Sequence, residues 1–215
     1  MERVATKRTA AHAKRQDPSK SELTRQRILD AAAKVFAERG YAHTRLVDVA
    51  REAGSHAGGI YYYFASREAL VDEVLRISTQ RSIDHLTKGL QALPPDADAV
   101  ERITTAMTVQ LAGIMARERY DLAHLRIWPQ LPDELRERHA AMLHSYFSIW
   151  RGIIAEGQAS GELRADLDPS VLRLTIAGAL QWASEWADTA RGSPEELAGK
   201  MSAIFLTGIL VKPAS

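Results

Sequence analysis

The sequence has no cysteine. This excludes a disulfide framework and any thiolate metal site. There is no run of 18 or more apolar residues, so no membrane span is expected. The first residues are charged but no apolar stretch follows them, so no secretory signal is expected and a cytoplasmic setting fits. Glycine-rich phosphate loops, G-x-S-x-G elbows and H-E-x-x-H metal motifs are missing. The seven histidines are scattered. His139 and His144, five apart, do not share a helix face at metal-ligand spacing. Asp166 and Asp168 sit in GELRADLDPS and read as turn and cap chemistry. These absences leave no residue set for catalysis, no metal site and no cofactor, and the chain is expected not to be an enzyme.

Charge of one sign is also scarce overall, with a net of +1. Its distribution carries more information. Residues 1–70 hold 13 Lys and Arg against 8 Asp and Glu, and the remainder holds 15 against 19. A basic N-terminal part on a mildly acidic body suits nucleic-acid contact at one end.

What is present is helical periodicity, with no strand alternation and no internal repeat. Residues 1–18 place Arg3, Lys7, Arg8, Lys14 and Arg15 among Ala and Thr with no apolar face, which reads as a disordered basic arm. Ser19 and Glu22 form a capping box, Ile28, Ala32, Val35 and Phe36 a buried stripe, and Gly40 a stop. Ser66 opens a long helix over 67–93 that Pro94-Pro95 ends. Helices are then predicted over 98–116, 120–128, 132–160, 169–190 and 194–211. Asp168-Pro169 and Ser193-Pro194 supply cap-plus-proline starts. The fold class is therefore all-α.

The informative stretch is Thr44–Arg67, TRLVDVAREAGSHAGGIYYYFASR. Leu46, Val49, Ala50 and Ala53 line one helix face. Thr44 is placed to cap that helix and Gly54 to end it. A second helix spans about Ala57 to Phe64, with Ile60 and Phe64 inward and Ser55 or His56 expected to cap it. Two short helices around a glycine turn are a helix-turn-helix, whose second helix enters the DNA major groove.

RQRILDAAAKVFAERGY, DVAREAG and GGIYYYFASREAL together resemble the DNA-binding domain of the tetracycline-repressor (TetR) family of bacterial transcriptional regulators. The resemblance implies a DNA-binding three-helix domain over 19–66 and a C-terminal helical ligand-binding and dimerisation domain over 67–215, with the helix at 67–93 as connector. It implies a homodimer on palindromic double-stranded DNA whose operator affinity a small molecule changes, most simply a repressor. The DNA-facing residues are then Thr44, Arg45, His56, Ala57, Gly58, Gly59, Tyr61, Tyr62, Tyr63 and Arg67. The positions at Ala57–Gly59 lack the hydrogen-bonding side chains that read bases, so specificity is expected to lean on apolar contact, DNA shape and half-site spacing. Tyr63 also lies nearest the inward side. The bare reading edge gives footing to one alternative, a helical ligand-binding or protein-interaction module with a vestigial DNA head.

The effector pocket implied by the resemblance would be lined by Met107, Leu111, Met115, Arg126, Trp128, Met142, Tyr146, Phe147 and Trp150. Plain core is the competing reading of such a stripe. QWASEWAD followed by GSPEELAGKM is similar to members that sense fatty acids or acyl-CoA thioesters. Arg117, Arg119 and Arg126 would then meet the CoA phosphates. The last two helices are apolar over much of their surface. Leu174, Gly178, Gln181, Trp182, Ile204, Phe205 and Gly208 are expected to form a two-fold dimer interface.

Overall fold

A computed structural model of the chain describes residues 19–186 and 192–209. The order is α1 (Lys20–Arg39), α2 (Leu46–Glu52), α3 (Ala57–Tyr63), α4 (Arg67–Gln91), α5 (Ala99–Met115), α6 (Arg119–Ile127), a 3₁₀ turn (Trp128–Gln130), α7 (Asp133–Ala159), α8 (Pro169–Trp186) and α9 (Pro194–Ile209). There is no β-strand among the described residues. The basic arm and the predicted extensions of α8 and α9 lie outside the described residues. No described helix is long and apolar enough to cross a membrane.

Local chemistry sets most of the helix ends. Ser19 and Glu22 exchange the reciprocal bonds of a capping box at the start of α1, and Asp98 and Glu101 do the same at α5. The Ser66 hydroxyl accepts the Ala69 N–H at the start of α4. Asp168 takes the N–H groups of Ser170 and Val171 on one carboxylate oxygen. Gly40 closes α1 at φ +74°, and a Cβ there would come within 2.5 Å of the Gln130 amide nitrogen, so only glycine leaves that side chain its place.

The buried apolar residues form two clusters. One holds α1, α2, α3 and the first half of α4 together with α6 and the start of α7: Phe36, Ile60, Leu75, Tyr120, Ile127 and Leu135 belong to it. The other joins Leu86 at the far end of α4 with α5, the rest of α7, α8 and α9. The expected division at residue 66 is therefore not a break in packing. Helix α4 passes from one cluster into the other, and α6 braces α1 directly. The Tyr120 hydroxyl makes that brace explicit. It donates to Asp30 at 2.9 Å and accepts from Gln26 at 3.0 Å, both on α1.

Candidate DNA-binding head and effector region

In the head, Val49 and Ala50 of α2, Ala53 at its C-cap and Ile60 of α3 are buried, with Phe64 just beyond α3. Gly54 turns the chain between the two helices at φ +60°, the left-handed conformation the sequence requires there. The opposite side is open. Arg45, His56 and Gly58 are exposed, and Ala57 and Gly59 are half-buried. Tyr61 is exposed, and Tyr62 is 81 % exposed with its ring edge-on to Tyr63 at 5.0 Å. Tyr63 itself packs on the head core. Val47, which the sequence reading passed over, is exposed on α2.

Three cap and contact expectations change. Thr44 does not cap α2; it is 1 % exposed, and its hydroxyl donates to the Gly40 carbonyl at 2.7 Å. The end of α1 leaves that carbonyl without a helical partner, and Thr44 satisfies it. The N-cap is Arg45, whose N–H is held by the Asp48 carboxylate. His56 occupies the N-cap position of α3 but provides no side-chain bond, and neither does Ser55, whose hydroxyl points at the His56 carbonyl. Arg67 is turned inward: its guanidinium lies 4.2 Å over the Tyr41 ring, pairs with Glu68 and bonds the Tyr41 and Thr44 carbonyls. Thr44 and Arg67 thus hold the α1–α2 loop.

The expected effector residues divide. Met107, Leu111 and Trp150 are buried in the second core, with Met115 and Tyr146 packed against it. The Tyr146 hydroxyl donates to Gln110 Oε1 at 3.0 Å and accepts from Trp150 Nε1 at 3.3 Å. Phe147 leans on Tyr146 with ring centroids 5.5 Å apart. Met142 is half-buried on α7. Trp128 does not join them. The 3₁₀ turn at Pro129 places its indole against the head core, beside His124 at 5.7 Å and His139 at 6.0 Å. Arg126 is exposed and does not line the cleft that holds Arg117 and Arg119.

That cleft has a volume of about 520 Å³ and lies where the head meets the body. Asp30 and Lys34 come from α1, Arg81 from α4, and Arg117, Glu118, Arg119 and Tyr120 from the α5–α6 connection. Arg81 pairs with Glu118 at 3.1 Å and stacks over Tyr120 at 4.6 Å, while Lys34 pairs with Glu52 at 2.7 Å. Arg117 takes φ +49°, a left-handed conformation unusual for a residue with a Cβ. It is a strained residue at the rim of a cationic cleft.

A buried polar cluster lies beside the cleft, between α4, α6 and α7. Ser78 donates to Asp121 at 2.8 Å, Thr79 meets His139 Nε2 at 2.8 Å, and His124 Nδ1 lies 3.3 Å from Ser78. Burial raises the Asp121 carboxyl, and burial together with the charge of His139 holds His124 down to about 4. Burial also lowers His139. A histidine depressed in the fold stays neutral while the unfolded chain, near 6.5, takes up a proton. Stability is therefore full above about pH 6.5 and declines as pH falls toward 4. His124→Gln is expected to flatten that decline. Urea melts at pH 7 and pH 5 test it: an unchanged difference between the two pH values would remove His124 from the account.

On the far side, Leu174 and Trp182 of α8 and Ile204 of α9 are exposed, as is Val171, which the sequence reading did not single out. Gln181 is exposed with them. A Cβ at Gly178 or Gly208 would meet nothing within 4 Å, so a second helix can approach there closely. Phe205 is instead half-buried against the second core.

Comparison with known proteins agrees with this architecture. Residues 28–74 match the family "Bacterial regulatory proteins, tetR family", and residues 96–209 match "Tetracyclin repressor-like, C-terminal domain". The chain is 35 % identical over 162 residues to the HTH-type transcriptional regulator TtgR of Pseudomonas putida, covering 71 % of this chain and 76 % of that one. It is 27 % identical over 153 residues to the fatty acid metabolism regulator protein of Bacillus subtilis, covering 71 % and 77 %. The crystal structure of FadR from Bacillus subtilis in complex with stearoyl-CoA superposes with a TM-score of 0.73 at 24 % identity, covering 86 % of this chain and 98 % of that one. The chain belongs to the TetR family of bacterial regulatory proteins and is a DNA-binding transcriptional regulator.

Proposed function

We propose that the protein is a repressor that leaves its operator when it binds an acyl-CoA-like ligand whose anionic head enters the cleft between head and body. The observation that carries the reading is the cleft itself. It gathers Lys34, Arg81, Arg117 and Arg119 where α1 of the head, the connector α4 and the α5–α6 connection meet. A polyanion seated there gains charge-assisted bonds to cations on separate elements, so its affinity depends on how those elements are set. The head that reads DNA and the body then share one ligand, and occupancy biases the pose of α3 through α1 and α4. The likeness to a fatty acid metabolism regulator supports the acyl class. Two copies joined through α8 and α9 would present two α3 helices to half-sites roughly 34–36 Å apart, or a multiple of that. Arg45, Tyr61 and Tyr62 would position each head on phosphates and sugars.

Fluorescence anisotropy with the intergenic DNA flanking the gene tests the reading. Palmitoyl-CoA is expected to release the DNA, and Arg119→Glu is expected to need about tenfold more of it, the cost of replacing one charge-assisted contact with a repulsion. The same variant without ligand is expected to hold DNA as the wild type does. If acyl-CoAs from short to long chain leave the anisotropy unchanged, the reading fails. If Arg119→Glu responds as the wild type does, the cleft is not where the head group binds.

A further inference from the structure

Val47 of α2 is 57 % exposed and belongs to neither apolar cluster. Its place on the helix follows from its neighbours. Asp48 pairs with Arg39 and Glu52 with Lys34, both on α1, so that flank of α2 is turned to α1. Val47 and Arg51, four residues apart, share the other flank. The turn into α3 bonds back from the Ser55 N–H to the carbonyl of Ala50, which is next to Val47 around the helix. Val47 therefore stands on the side of α2 from which the chain passes into α3, the helix that enters the major groove.

The surface beside it offers little that hydrogen-bonds a base. Ala57 and Gly59 are half-buried and Gly58 is exposed. Packing does not impose these glycines: a Cβ at Gly58 would meet nothing within 4 Å, and one at Gly59 only the Ser55 hydroxyl, at 2.9 Å. Arg51 is engaged by Asp48 at 2.8 Å. A recognition helix without side chains at these positions can seat close to the floor of the groove, and α2 moves in with it. A valine gains nothing from a phosphate. In the major groove, the apolar group on a base edge is the C5-methyl of thymine. Packing on it takes both groups out of water, and the stiff χ1 of valine holds its methyls in place at little entropic cost. We propose that Val47 is a specificity-determining residue that packs on the C5-methyl of a thymine in each half-site, so that the operator is read partly through methyl groups. The proposal rests on DNA binding by the head and is independent of any effector.

The test uses an operator duplex that the wild-type protein selects from a random-sequence pool. Each thymine is replaced by uracil in turn, in both half-sites together, and binding is followed by fluorescence anisotropy. Uracil lacks only the methyl and keeps every hydrogen-bonding group of thymine, so contacts from Arg45 or His56 are left intact. One thymine is expected to be sensitive, with wild-type binding weakened about fourfold per half-site and about 15-fold for the pair, the factor for returning one methyl-sized group to water. Val47→Ala is expected to bind the thymine duplex about as weakly as the wild type binds the uracil one, and to bind its own two duplexes within about twofold. Alanine suits an exposed helix position, and a melting curve checks that the head is folded. Val47→Thr, which keeps the branched shape but exchanges one methyl for a hydroxyl, is expected to fall between. If no thymine is sensitive to uracil, or the pool yields no enriched sequence, the proposal is overturned. A sensitive thymine whose effect is as large in Val47→Ala is read by another residue, and the proposal falls. Equal weakening of both duplexes by Val47→Ala places the side chain on the sugar–phosphate backbone and also overturns it.

Discussion

The double variant Trp182→Glu, Ile204→Glu is expected to sediment as a monomer and to lose operator affinity by about 100-fold or more. Trp182 of α8 is 68 % exposed and Ile204 of α9 is 75 % exposed. Leu174 and Val171 of α8 are exposed as well, at helical spacing from Trp182. Monomeric proteins rarely leave such a patch to water, and a two-fold axis would cover it twice, since each residue contributes once from either copy. Burying a side chain of this size contributes roughly 1.5–3 kcal/mol, so the two positions in two copies account for much of a stable interface. A glutamate there forfeits that gain and brings an unpaired carboxylate into a dry contact. The effect on DNA follows from valency. With two linked heads, the second half-site is bound at high effective concentration, and a monomer loses that advantage altogether. Analytical ultracentrifugation and anisotropy with operator DNA give the two readouts, and a melting curve checks that the body is folded. A variant that remains dimeric places the interface elsewhere; one that is monomeric but binds DNA at full strength separates dimerisation from operator recognition.

Features decided within a few residues could be read from the sequence. Ser19 with Glu22, Ser66, Asp98, Gly40 and Gly54 all act where the chain order puts them, because caps and left-handed turns answer to local backbone geometry. The inward sets of α2 and α3 follow from helical spacing in the same way. Thr44 shows where that reading ends. A threonine before a helix can accept from the next turn or donate to the previous helix end, and only the path of the α1–α2 loop selects the second. Arg67 is similar: its charge suits phosphate, but a tyrosine ring and two carbonyls from the loop lie closer. Trp128 and Arg126 depended on the direction in which the chain leaves α6, which the 3₁₀ turn sets. The alliance of α6 with α1 joins residues about ninety positions apart, as in the bond from Tyr120 to Asp30, and no periodicity records such a pairing.

Tyr120 joins these long-range features, and Tyr120→Ala is expected to lower the unfolding free energy by about 3–5 kcal/mol, the range for deleting a large buried ring. The residue is 1 % exposed in the core that the head shares with α6. Its hydroxyl bonds Asp30 and Gln26 on α1, and its ring supports the Arg81 guanidinium of α4. Three elements thus meet on one side chain, and alanine leaves a cavity, removes the hydroxyl that ties α6 to Asp30 and Gln26, and takes the platform from a cation. Tyr120→Phe separates these parts: it keeps the ring and the stacking and is expected to cost only about 1 kcal/mol, the net value of the hydroxyl bonds. Urea melts order the three proteins. The functional readout is more discriminating, because the cleft is built on the same ring. If α6 transmits ligand occupancy to the head, the phenylalanine variant responds to palmitoyl-CoA like the wild type. The alanine variant, at a temperature where it is still folded, holds operator DNA but releases it only weakly. An alanine variant with an undiminished response would show that α6 holds the head in place without taking part in the switch.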